Sequence, residues 1–144
     1  MYLPRYKVAL VKESSCQVPT RAIGSPADAY AILYGEMGQS DREIFLILLL
    51  DTRSRVIGIH EVSVGSLNAS LVHPRETFKA AILANAAALI LAHCHPSGDL
   101  DPSQEDLAIT TRLKQAGELL GIPVLDHLII SDVAFISLKE RGLL

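Results

Sequence analysis

The stretch His93–Asp106, HCHPSGDLDPSQED, gathers side chains that bind cations. His93 and His95 stand two apart where an apolar run ends. Side chains at that spacing in extended chain point to one side, so both imidazoles can face one ion while Cys94 points away. Neutral imidazole is a common zinc ligand. Pro96 holds His95 extended, and Gly98 lets the chain turn sharply. Asp106 falls three residues after Ser103, at the mouth of an expected helix, where its carboxylate can supply a third ligand. Two histidines, one carboxylate and an open fourth position taken by water make a catalytic zinc arrangement, not a closed structural one. The same letters also read as an ordinary helix start, with Ser103 as cap and Asp106 in the reciprocal position. Sequence leaves both readings open.

Hydrolysis at such a site needs a general base. Glu43 opens the apolar run EIFLILLL and would sit at the rim of a buried sheet; the competing reading is a solvated charge at a strand end. His127, in LDHLII, is either a satisfied core histidine or an outer partner of the metal site. His73-Pro74-Arg75 reads as a helix entry. Asp99 and Asp101 add negative charge beside the site, which either only solubilises the loop or makes it unfriendly to phosphate.

These residues need elements to position them. Tyr6–Glu13 reads as a short strand. A helix follows over 25–38, with Ser25 as cap, Pro26 in its first turn and Gly38 at its stop. Arg42–Asp51 is apolar on both faces, the pattern of a central strand covered on two sides. DTRSR then turns the chain into an antiparallel partner, Val56–Gly65. Strong helix formers mark His73–Ala88. Ala88–His93 is a second buried strand. Ser103–Gly121 is an amphipathic helix with Leu107, Leu113, Leu119 and Leu120 in its apolar stripe. Strands at Ile122–Ser131 and Val133–Glu140 close the chain. The order β-α-β-β-α-β-α-β-β predicts a single α/β domain, one mixed sheet with helices on both sides.

Composition agrees. The 144 residues suit one domain, and 49% hydrophobic against 20% charged is globular, with a core built from Leu, Ile, Val and Ala because Trp is absent. A net charge of −3 counts against phosphate-driven nucleic-acid binding. Two cysteines, Cys16 and Cys94, are too few for a disulfide framework. The N-terminal residues lack the charged start and apolar run of a signal peptide, and IFLILLL is too short to span a bilayer. The expected location is the cytoplasm, without membrane association.

The pattern His93-x-His95-x7-Ser103-x2-Asp106, with a glutamate on an earlier strand, resembles the JAMM signature of JAB/MPN-type metalloproteases. AHCHPSGDLDPSQED, SLNASLVHPRETFKAAILANAAALILAH and LGIPVLDHLIIS are similar to the variant found in the bacterial RadC family, and the likeness runs from about Ser40 to the end. It implies a JAB/MPN, cytidine-deaminase-like fold with Zn2+ held by His93, His95 and Asp106 and a water as fourth ligand. Glu43 would move that water's proton to the leaving amine, and Ser103 would stabilise the oxyanion. The implied activity is zinc-dependent cleavage of a peptide or isopeptide amide in a peptide or protein substrate. The alternatives are a DNA-repair-associated or assembly binding module that keeps the metal site, or a metal-dependent nuclease. About forty residues precede Glu43, too few for the helix-hairpin-helix region many RadC proteins carry, so residues 1–144 read as one domain: 1–40 an N-terminal strand, loop and helix, 41–144 the metal-site core. Cys94 stands where the family commonly has asparagine.

Overall fold

The apolar run IFLILLL becomes β1 (Ile44–Leu50), and six of its seven residues are buried. Such a strand needs cover on both faces, and the computed structural model, which describes residues 1–65 and 72–144, supplies it. The remaining elements are α1 (Pro26–Met37), β2 (Val56–Val64), α2 (Pro74–Leu83), β3 (Ala88–Cys94), α3 (Gln104–Leu120), β4 (Val124–Ile130) and β5 (Phe135–Ser137). The strands form one mixed sheet in the order β2-β1-β3-β4-β5. Among the described strands only β3 and β4 run parallel, joined through α3; the other described pairs are antiparallel. Residues 66–71, the opening of the phrase SLNASLVHPRETF, lie outside the described residues.

Alternation along β1 and β3 splits the core in two. Leu46, Leu48, Leu50, Ile90, Ala92 and Cys94 pack against Ala29, Ile32, Leu33 and Met37 of α1. Phe45, Ile47, Leu49, Leu89 and Leu91 pack on the other side with Phe78 and Ala81 of α2 and Ile109 and Leu113 of α3. The α/β domain with helices on both sides of a mixed sheet is therefore as the sequence predicts. α3 lies close to the chain that follows it. A Cβ on Gly117 would stand 2.5 Å from the Ile122 carbonyl oxygen, so glycine is what permits the approach.

Three expectations are corrected. Tyr6–Glu13 forms no strand: it has no backbone partner among the described residues, and Tyr6, Val8 and Val11 are almost fully exposed. Its β-prone composition does not suffice, because a strand exists only where a neighbour takes its hydrogen bonds. α2 stops at Leu83 rather than continuing to Ala88, since Asn85 turns into the left-handed region at φ 52°. The stripe of α3 includes Ile109 and Leu113, while Leu119 is 89% exposed; it lies at the end of the helix, just before Gly121 turns left-handed at φ 72°.

Candidate metal centre

The topology brings distant segments to one edge of the sheet. β1 and β3 are antiparallel, with Phe45 opposite His93. The start of β1 therefore meets the end of β3. Carried two residues on, that register sets Glu43 beside His95, and both line one cleft of about 360 Å³ with Ser97, Asp99, Asp101, Ser103, Glu105 and Asp106. The helix following β3 begins at the same place, which puts Asp106 in its first turn.

His93 is wholly buried and Asp106 is 5% exposed. His93 Nε2 lies 2.9 Å from His95 Nε2. Asp106 Oδ1 is 3.3 Å from His93 Nε2, and its Oδ2 is 3.4 Å from His95 Nε2. One ligand atom from each of the three falls within 4.8 Å of the others, a candidate metal site. The outer nitrogen of His95 is already committed: Nδ1 lies 2.5 Å from the Asp99 carbonyl oxygen, which can only accept. Its proton is therefore on Nδ1, and Nε2 is the nitrogen turned to the cluster. Cys94 faces away, as alternation predicts, with Sγ 3.2 Å from the Arg42 carbonyl oxygen on the α1 side of the sheet.

Charge and burial act together here. Burial opposes ionisation of Asp106, yet the two imidazoles facing it outweigh burial and hold the carboxyl well below the usual carboxylate range. The hydrogen bond to Asp106 raises the His95 pKa; burial works against it, and the Asp99 carbonyl and the charges of Asp106 and Glu43 add to it. A buried carboxylate and two imidazole nitrogens aimed at one point attract a cation.

The capping reading of Ser103 and Asp106 is also realised. The Ser103 N–H donates to Asp106 Oδ2 at 2.8 Å, and the Asp106 N–H donates to Ser103 Oγ at 3.0 Å. The two readings are compatible: the cap fixes the rotamer of Asp106, and Oδ1 remains aimed at His93. The Ser103 hydroxyl accepts in the cap and keeps its own hydrogen to donate. His73 is the α2 cap, accepting the Arg75 N–H on Nδ1 at 3.0 Å.

His127 is where sequence alternatives separate. It is completely buried on β4, with Nε2 2.7 Å from His93 Nδ1 and Nδ1 2.6 Å from Thr110 Oγ1. Thr110 carried no signal of its own in the sequence. It is the residue one helical turn after Asp106, on the same face of α3.

A mixed five-stranded α/β sheet with helices on both faces, carrying two imidazoles and a helix-mouth carboxylate beside an acidic cleft, defines the class: a JAB/MPN-type domain with a candidate metal site. The chain belongs to the RadC-like JAB domain family, whose model matches residues 23–143. It is similar to a UPF0758 protein of Methanosarcina acetivorans, 47% identical over 137 residues covering 95% of this chain and 60% of that protein. A UPF0758 protein of Moorella thermoacetica is 59% identical over 122 residues, 85% of this chain and 53% of the relative. One from Desulfitobacterium hafniense is 56% identical over 122 residues, 85% of this chain and 54% of the relative. The chain thus spans about half to three-fifths of the length of these curated relatives. No helix among the described residues is long and apolar enough to cross a membrane.

Proposed function

We propose that this domain is a zinc-dependent hydrolase that cleaves a peptide or isopeptide amide. The observation that carries the reading is the convergence of His93, His95 and Asp106 beside a cleft that Glu43 and Ser103 also line. Zinc fits the donor set. Imidazole nitrogen and carboxylate oxygen are both common zinc ligands, and one such atom from each of the three residues lies within 4.8 Å of the others. Two nitrogens, one oxygen and an open side toward the cleft suit a catalytic rather than a structural ion.

Zinc in this position would supply Lewis acidity and bring a water's pKa near 7. The protein's own groups supply the rest. Glu43, which lines the cleft, would accept the proton of an attacking water and pass it to the leaving amine nitrogen. Ser103 has a hydroxyl hydrogen to donate to the oxyanion of a tetrahedral intermediate. Asp106, fixed by its cap, holds its carboxylate toward the two imidazoles. The cleft also bears on substrate class. Asp99, Asp101 and Glu105 join Glu43 and Asp106 along it, so a phosphodiester would meet like charge while a neutral amide would not.

The test pairs metal analysis with cleavage. Protein purified without chelators is assayed for zinc and then offered peptide and isopeptide-linked libraries, with Glu43→Gln as control. About one zinc per chain, with cleavage that Glu43→Gln abolishes, supports the reading. Zinc without cleavage of any amide would shift it to a binding module. Cleavage of nucleic acid instead would make it a nuclease.

A further inference from the structure

We infer that His127, anchored by Thr110, is a positioning residue that locks the His93 ring with its Nε2 lone pair facing His95 and Asp106. The inference rests on the metal-site reading above and concerns a residue outside the ligand set. It follows from counting hydrogens along one buried chain of contacts. Thr110 Oγ1 lies 2.7 Å from the Asp106 carbonyl oxygen. A carbonyl cannot donate, so the single hydroxyl hydrogen of Thr110 is spent there. Thr110 Oγ1 also lies 2.6 Å from His127 Nδ1. With its hydrogen spent, the hydroxyl accepts, and the His127 proton is on Nδ1.

His127 is fully buried, and the partners of its two ring nitrogens are the Thr110 hydroxyl and the His93 imidazole, neither of them an anion. A second ring proton would be an uncompensated buried charge, so with the proton on Nδ1 the Nε2 is bare and accepts. That nitrogen is 2.7 Å from His93 Nδ1, so His93 carries its proton on Nδ1. The His93 Nε2 is left as a lone pair 3.3 Å from Asp106 Oδ1 and 2.9 Å from His95 Nε2. The chain begins on the backbone of Asp106 and ends on the ring of His93, so two of the three candidate ligands are held to one another. Phe45 flanks both rings, 6.1 Å from His93 and 5.6 Å from His127 between centroids, and limits their rotation. His95 reaches the same tautomer independently, through the Asp99 carbonyl.

A residue that only fills space would not control a tautomer, and that difference is measurable. Four variants of the whole chain are compared with wild type: Thr110→Val, which keeps the shape and deletes the acceptor; Thr110→Ser, which restores it; His127→Leu; and His127→Gln, which keeps an acceptor for His93. Circular dichroism establishes that each folds. Zn2+ affinity is measured by chelator competition, and the His93 tautomer by nitrogen-15 correlation NMR of the metal-free protein. Loss of an outer partner typically weakens metal binding by about 10- to 100-fold. Thr110→Val and His127→Leu are expected to lose affinity in that range, while Thr110→Ser stays near wild type and His127→Gln recovers part of the loss. In wild type the His93 proton is expected on Nδ1, and in Thr110→Val it divides between the two nitrogens. A folded Thr110→Val that binds Zn2+ as tightly as wild type, with His93 unchanged, overturns the inference and leaves the metal site standing. Wild type that binds no Zn2+ removes the metal reading, and this inference with it. Should His127→Leu fail to fold, the Thr110 pair decides alone.

Discussion

Ser103 and Asp106 cap one another across the first turn of α3, with the Ser103 N–H on Asp106 Oδ2 at 2.8 Å and the Asp106 N–H on Ser103 Oγ at 3.0 Å. Replacing Ser103 therefore acts on helix and chemistry at once, and two substitutions separate the effects. Ser103→Ala removes the capping acceptor and is expected to cost about 1 kcal/mol, whereas glycine at a cap costs only a few tenths. Both variants lack the hydroxyl, and both are expected to lose roughly 10²- to 10³-fold in turnover, the usual cost of an oxyanion donor. Denaturant melts and single-turnover rates on the two variants check this. Turnover that tracks stability instead would make Ser103 a cap alone.

His95→Ala and Asp106→Ala should each abolish zinc retention in elemental analysis. Asp106→Ala should also melt lower, because it removes the acceptor for the Ser103 N–H. Metal removal should destabilise wild type in proportion to its affinity, by about 2.7 kcal/mol when free zinc had stood at 100 times Kd. A melting temperature that ignores both zinc and chelator would contradict a resident ion.

Glu43→Gln is expected to keep its zinc and its fold. Its amide hydrolysis should fall by about 10²- to 10⁴-fold, the range assigned to a general base. Zinc content and turnover measured on one sample make the comparison. Loss of the metal in this variant would move Glu43 from base to ligand.

Gly117→Ala tests the packing that carries α3. The new Cβ would meet the Ile122 carbonyl oxygen at 2.5 Å and Phe78 Cζ at 3.3 Å. Overpacking of this kind typically costs about 1–3 kcal/mol, well beyond the helix propensity gained by replacing glycine. Equilibrium unfolding reads the balance, and a neutral or stabilised variant would contradict the close approach.

The sheet was legible because its two central strands are apolar throughout, a signal that needs no partner to be recognised. β1 and β3 emerge within two residues of where the letters place them. The candidate ligand group was legible because His93, His95 and Asp106 lie within fourteen residues and the turn chemistry between them is local. Tyr6–Glu13 misled because strand formation depends on a neighbouring edge, which composition does not reveal. The α2 boundary moved because alanine favours helix up to the residue where Asn85 leaves it. His127 stayed ambiguous because its partners are 34 and 17 residues away. A lone histidine in a strand looks the same whether it fills a core or steers a ligand.

The three candidate ligands all belong to β3, α3 and the loop between them, whereas Glu43 enters from β1 through the pairing of Phe45 with His93. On the proposed reading, ion capture and proton transfer by Glu43 would consequently depend on different parts of the sheet. Slippage of one strand by one residue would turn Glu43 to the opposite face and leave the ion's cage whole. A preparation that is full of zinc and poor in turnover would then carry a specific diagnosis: a fault in the alignment of two neighbouring strands, readable from the ratio of two numbers.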